Sequence, residues 1–177
     1  LFGGSMIAWF RGDYQQTRIM AAEAREVARD GNDAFGVAMA QFALAEAAWT
    51  ENDLPQALIL GEEAIARLRE VDASIWLSIA LADMGTVALI HGDCERGDAW
   101  IAEGLALTRA RGDRWFVANK LCDLGAIAVN NGNLAEAARH LGESVRLYGQ
   151  LRDTWYLASP LCGIAAIAVA IDQPEAA

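Results

Sequence analysis

Lysine is almost missing from this chain: Lys120 is the only one, and the 14 Lys and Arg residues never gather into a block. Against 24 acidic residues they leave a net charge of −10. That balance disfavours direct contact with nucleic-acid phosphates, which demands clustered cations. Cysteine is scarce and odd in number, Cys94, Cys122 and Cys162, with no CxxC pair. A disulfide scaffold is therefore not expected, and a reducing cytoplasm is the simpler setting. The two histidines, His91 and His140, have no acidic or cysteine cluster at ligand spacing, so both are expected at surface or capping positions. No phosphate-binding loop, GxGxxG, GxSxG or HExxH occurs. Neither catalysis nor a cofactor or metal is expected. No long apolar span stands out either. The most apolar run, 156–171, is interrupted by Ser159 and Pro160 and falls short of the roughly 20 residues of a membrane helix.

What the chain has is self-similarity. The turn Gly12-Asp13-Tyr14 returns as Asn52-Asp53-Leu54, Gly92-Asp93-Cys94, Gly132-Asn133-Leu134 and, decayed, Asp172-Gln173-Pro174, a period of 40 residues. A second mark keeps the same step: Asp33-Ala34-Phe35, Ala73-Ser74-Ile75, Asp113-Arg114-Trp115 and Asp153-Thr154-Trp155. A fixed period of this kind identifies a solenoid, in which each unit buries its apolar face against its neighbours. The units run 34–73, 74–113 and 114–153, with partial units at 1–33 and 154–177. The 54% hydrophobic content, much of it Ala, suits close helix packing within one continuous array.

Apolar residues recur at three and four, so each unit reads as two helices rather than strands. Helix A is expected at 34–51, 74–91, 114–131 and 154–171, and helix B at 14–30, 54–70, 94–110 and 134–150. A partial helix A should end near Arg11 and fray at Gly3-Gly4. Asp33, Asp113 and Asp153 are expected N-caps of the A helices, and Asp53, Asp93 and Asn133 of the B helices. In helix A, bulky Leu44, Met84, Leu124 and Ile164 are each followed by a small residue: Ala45, Gly85, Gly125 and Ala165. In helix B the small columns are Ala57, Gly97, Ala137, Ala177 and Ala24, Ala64, Gly104, Ser144. Helical glycine costs about 1 kcal/mol relative to Ala, so its recurrence points to close backbone approach. Pro160 should kink or loosen its helix.

These columns resemble the tetratricopeptide repeat, through Met84-Gly85 and Leu124-Gly125, the turn Gly92-Asp93-Cys94, and Ala137 and Ser144. The early Trp of that family is replaced by Gln41, Leu81, Leu121 and Leu161, and the period exceeds its usual 34 or so. The longer unit, with Gly112-Asp113-Arg114-Trp115 and 151–155, is similar to the repeats of bacterial signal-transducing ATPases, including transcriptional regulators of the maltose-activator and LuxR type. The resemblance implies an all-α, right-handed superhelical solenoid of antiparallel helix pairs, about nine helices in all. It also implies a sensor or interaction arm of a larger regulator. The chain starts at Leu1 without a signal-like front and stops just after Pro174-Glu175, where another helix would open; a piece of a longer protein is expected.

In such arrays helix A lines the concave groove. Carried over, this places Met39, Phe42, Glu46 and Trp49 on it, then Ile79, Ala82, Thr86 and Leu89, then Asn119, Cys122, Ala126, Val129 and Asn130. Exposed aromatics there would anchor a protein, a peptide or a small apolar ligand. Phe42 and Trp49 could equally be core residues, and Trp115 and Trp155 are expected in the core between repeats. A chaperone-type carboxylate clamp needs Lys, Arg or Asn on the groove. Phe42, Glu46, Ala82, Thr86, Cys122 and Ala126 stand there instead, so a free-standing peptide adaptor is the weaker alternative. Cys122 and Cys162, one unit apart, are expected as small core-like residues rather than a metal or redox pair. Glu23, Glu63, Glu103 and Glu143 are expected on a solvated face. The terminal repeats, short of stacking partners, are expected to drive self-association.

Overall fold

From Gly12 to Arg152, every twentieth residue turns left-handed. Gly12, Asn32, Asn52, Asp72, Gly92, Gly112, Gly132 and Arg152 all have positive φ, between +52° and +94°. The residue after each donates its N–H back to the closing turn of the preceding helix: Asp33 to the Ala28 carbonyl at 2.8 Å, Asp93 to Ala88 at 2.9 Å, Asn133 to Ala128 at 2.8 Å. This is the Schellman closure, which uses carbonyls that a helix end leaves orphaned. That same residue then caps the next helix. Asp13, Asp33, Asp53, Asp93, Asp113 and Asp153 accept from the backbone N–H three residues on. Asn133, expected to do the same, does not: its side-chain amide donates to Glu136 instead, at 2.8 Å. Stop and start chemistry thus fit into three residues.

In a computed structural model that describes residues 2–172, the helices are α1 (Phe2–Phe10), α2 (Tyr14–Asp30), α3 (Ala34–Thr50), α4 (Leu54–Glu70), α5 (Ser74–His91), α6 (Cys94–Ala110), α7 (Arg114–Asn130), α8 (Leu134–Leu151) and α9 (Thr154–Asp172). No strand occurs among the described residues. The expected boundaries hold within a residue. Gly3 and Gly4 do not fray α1 but lie inside it, and Gly4 leaves room for the Met20 methyl of α2. α9 runs unbroken through Pro160, which is buried although it has no N–H to give its helix. The expected turn 172–174, the helix opening at Pro174 and the packing of Ala177 extend outside the described residues.

The chain divides into two compact units, Leu1–Leu107 and Thr108–Ala177. In the first, α1, α3 and α5 lie side by side, with α2 packed on α1 and α3, and α4 on α3 and α5. Its core gathers Met39, Phe42, Leu58, Ile65, Leu68, Leu81, Met84 and Val87. In the second, α7, α8 and α9 pack mutually around Leu141 and Ile167.

Glycine spacing explains how closely the helices approach. A Cβ on Gly97 would lie 2.9 Å from the Gly85 carbonyl oxygen, and one on Gly104 would lie 2.8 Å from the Ser78 carbonyl. The α5 and α6 backbones therefore touch at two points. One period later the same carbonyl position is used differently: Ser144 of α8 donates its hydroxyl to the Ala118 carbonyl of α7 at 2.7 Å. Gln41, in the column where the tetratricopeptide family has Trp, is buried and polar. It accepts from Arg25 of α2 at 3.3 Å and donates to Glu63 of α4 at 2.6 Å, which satisfies the amide. The expected solvated column of Glu63, Glu103 and Glu143 is in part a ladder between helices. Arg69 meets Glu103 at 2.7 Å and Arg109 meets Glu143 at 3.4 Å. Such exposed pairs contribute little energy.

Candidate functional site

The A-helix faces of the first unit enclose a cavity of about 120 Å³. α1 contributes Met6 and Trp9, α3 contributes Phe42, Ala43 and Glu46, and α5 contributes Trp76, Ile79 and Asp83. Steps of three and four align Met6 with Trp9, Phe42 with Glu46, and Trp76 with Ile79 and Asp83, each on one face of its helix. Thr17 of α2 closes the floor, its hydroxyl held by the Asp13 carbonyl at 2.9 Å. The wall is thus three aromatic rings and the apolar side chains of Met6, Ala43 and Ile79, with acidic residues from α3 and α5 and no basic residue among those lining it.

Of the expected groove residues, Phe42, Glu46 and Ile79 meet in this cavity. Phe42 is both buried and cavity-lining, so the choice between core and groove is not exclusive. Trp49 is half-buried against the core. Four expectations need correction. Met39 is sealed in the core, and Ala82 is fully buried. Thr86 is buried, its hydroxyl spent on the Ala82 carbonyl at 3.0 Å. Leu89 rests over Gly97 of α6, on the flank facing its own B helix. A groove assigned by column alone misplaces them, because helix A is packed on more than one side and its inner stripe is narrow. Trp9 stands one 40-residue period before Trp49, a mark the sequence carries; Asp83 and Met6 carry none, since only the packing of α1 and α5 against α3 brings them in.

In the second unit, Asn119 is half-buried and hydrogen-bonded to the Tyr148 side chain, whose hydroxyl is pushed up to about 12, chiefly by burial. Cys122 is buried, 3.3 Å from the Ser159 hydroxyl. Burial pushes its thiol above the ordinary value, which keeps it protonated and unreactive at neutral pH. Asn130 is exposed at the end of α7, as is Ala126, while Val129 packs against Ile167 and its neighbours. Trp115 lies edge-on to Tyr156, centroids 4.9 Å apart, and donates its indole N–H to Asp153 at 3.1 Å. Trp155, expected in the core, is 84% exposed. Cys162 is exposed rather than core-like, and no cluster of metal-ligating side chains occurs among the described residues. His140, expected at the surface, is buried. Its Nε2 is 3.4 Å from Glu136 and its pKa is lowered, first by burial and then by Arg139.

By length and composition α5 and α9 are apolar enough to cross a membrane. The expected run 156–171 is extended by helix at both ends, so shortness no longer excludes it; core helices pass the same test. No family model and no curated protein matches the chain.

Proposed function

We propose that this chain is a non-catalytic binding module, a tetratricopeptide-like arm that senses a ligand or partner within a larger cytoplasmic transcriptional or signalling regulator. The observation that carries the reading is the cavity across α1, α3 and α5, where aromatic rings from three separate helices converge. Concave, ring-lined sites with a few polar groups are the usual form of a binding pocket. The regulator context rests on the 40-residue unit and its Asp113-Arg114-Trp115 and Asp153-Thr154-Trp155 marks, and the expected right-handed superhelix belongs to the same proposal. Reading the gene around this segment tests the context. A nucleotide-binding module upstream supports the regulator; a free-standing repeat gene overturns it in favour of an adaptor. Trp76→Ala should abolish ligand capture if the cavity is the site.

Self-association through α9 belongs to the same reading. Leu161 and Ile164 are 47% and 38% exposed, whereas Leu81 and Met84, two periods earlier, are both at 0%. Asp172 is the only charged residue of α9, so two copies can meet there despite a chain charge of −10. A two-fold dimer, helix against helix, is the simplest cover. Sedimentation over a dilution series should show a dimer that Ile164→Glu disperses. A monomer up to about 1 mM, where an association of about 4 kcal/mol would show, overturns it. So does uptake by neutral lipid vesicles in place of dimerisation.

A further inference from the structure

We infer that α9 takes, on the side that carries Trp155, a partner helix that begins Asp-x-x-Tyr-x-x-Ser, with another aromatic acceptable in place of the Tyr. The inference goes beyond the cavity and beyond self-association, and rests on neither. It starts from a contact inside the second unit. Trp115, Cys122 and Val129 stand seven residues apart, about two helical turns, and so share one stripe of α7. All three are used against α9 and its neighbours. The indole N–H of Trp115 donates to Asp153 at 3.1 Å, and its ring lies edge-on to Tyr156, centroids 4.9 Å apart. The Cys122 sulfur is 3.3 Å from the Ser159 hydroxyl. Val129 packs on the cluster that holds Ile167. Asp153 serves both helices: one carboxylate oxygen caps the Tyr156 N–H at 3.1 Å, and the other accepts the indole.

α9 carries the same stripe one period on, with the residue types unchanged: Trp155, Cys162 and Val169. Here the stripe is open. Trp155 is 84% exposed and Val169 59%, and Cys162 is exposed as well. The donor and the apolar surface that α7 spends on α9 are thus presented a second time. The groups that satisfy them on α9 define what fits: a carboxylate at the helix start, a ring three residues on, a small hydroxyl three further. Trp is enriched among the residues that dominate binding energy. A wholly apolar occupant would bury the indole N–H without an acceptor. A second copy of α9 fits poorly, since α7 already holds its Asp153, Tyr156 and Ser159, and two facing Trp155 rings would bring two donors. The stripe is also distinct from the one assigned to dimerisation. At about 100° per residue, Leu161 lies roughly 100° and Ile164 roughly 160° round the helix from Cys162.

Fluorescence anisotropy tests this with a labelled peptide of sequence 151–172, its helix held by a hydrocarbon staple across positions 161 and 165 and verified by circular dichroism. Those positions lie on the side away from Tyr156 and Ser159. The whole chain should capture the peptide. Trp155→Ala in the chain should weaken capture about tenfold or more while leaving Tm unchanged, because the side chain is 84% exposed. Asp153→Ala or Tyr156→Ala in the peptide should weaken it likewise, whereas Ile164→Glu in the chain should leave capture intact. Equal capture by the parent and Trp155→Ala overturns the inference, as does no capture at about 1 mM chain. Loss of capture with Ile164→Glu also overturns it, by moving the peptide to the dimer stripe. None of these outcomes bears on the cavity of the first unit, which Trp76→Ala tests separately.

Discussion

α5 and α9 occupy the same slot of the repeat and carry the same apolar pattern, yet half of α5 is buried and only about a tenth of α9. Met84 is sealed between α4 and α5, where Gly61 makes room for its sulfur, whereas Ile164 in the same column lies partly open. Val87 and Ile167, one turn further along, are buried in both helices. Among the described residues, identical periodicity therefore yields core or surface according to how much of the helix its neighbours cover. An apolar column states the capacity to bury area, and the neighbour decides whether it is used.

The largest test of that contrast is a pair of truncations in one column. Met84→Ala should cost about 2–5 kcal/mol in urea denaturation, while Ile164→Ala should cost under about 1 kcal/mol in the monomer. Equal costs would show that α9 is covered after all. Glycines sharpen the picture next. Gly104→Ala should destabilise by about 1–3 kcal/mol, because its Cβ runs into the Ser78 carbonyl and the α5 backbone. Gly142→Ala, on the exposed face of α8 with nothing within 4 Å, should instead stabilise by up to about 1 kcal/mol. Two helical glycines of opposite sign separate close approach from idle tolerance, and the same sign for both would break the distinction.

The smallest expected effect is the titration of His140. Burial and Arg139 hold its pKa below the ordinary 6.5, with Glu136 and Glu143 pulling the other way. Below about pH 6.5 the unfolded chain binds a proton there that the folded chain does not, so stability should fall as pH drops toward the lower folded value. Urea midpoints compared between about pH 7.5 and 5.5 should fall less for His140→Gln than for the parent. Equal falls would mean the ring titrates alike in both states.

Much of the fold was legible before any coordinates. The 40-residue period, the helix boundaries and the Asp caps are local chemistry, written within three or four residues of where they act. The twenty-residue rhythm of Gly, Asn and Asp at left-handed turns was equally present in the sequence, although the doubled period hides it; Arg152, in the same slot, carries no such mark. The cavity was legible only in part. Phe42, Glu46 and Ile79 follow from the A-helix columns, whereas Ala82, Thr86 and Met39 share those columns and are buried outside the cavity. A column fixes the angle of a side chain around its own helix but not which neighbour lies at that angle.

By itself, then, the sequence determined an all-helical repeat, its register and its turn geometry, because hydrogen-bond closure and left-handed φ depend on near neighbours. Only tertiary structure decided that Asp83 lines one cavity with Glu46, Trp9 and Trp76, that His140 is buried, and that Trp155 is not. Those outcomes depend on helix spacing across the repeats, set by residues tens of positions apart whose small or bulky volumes act only once the helices meet.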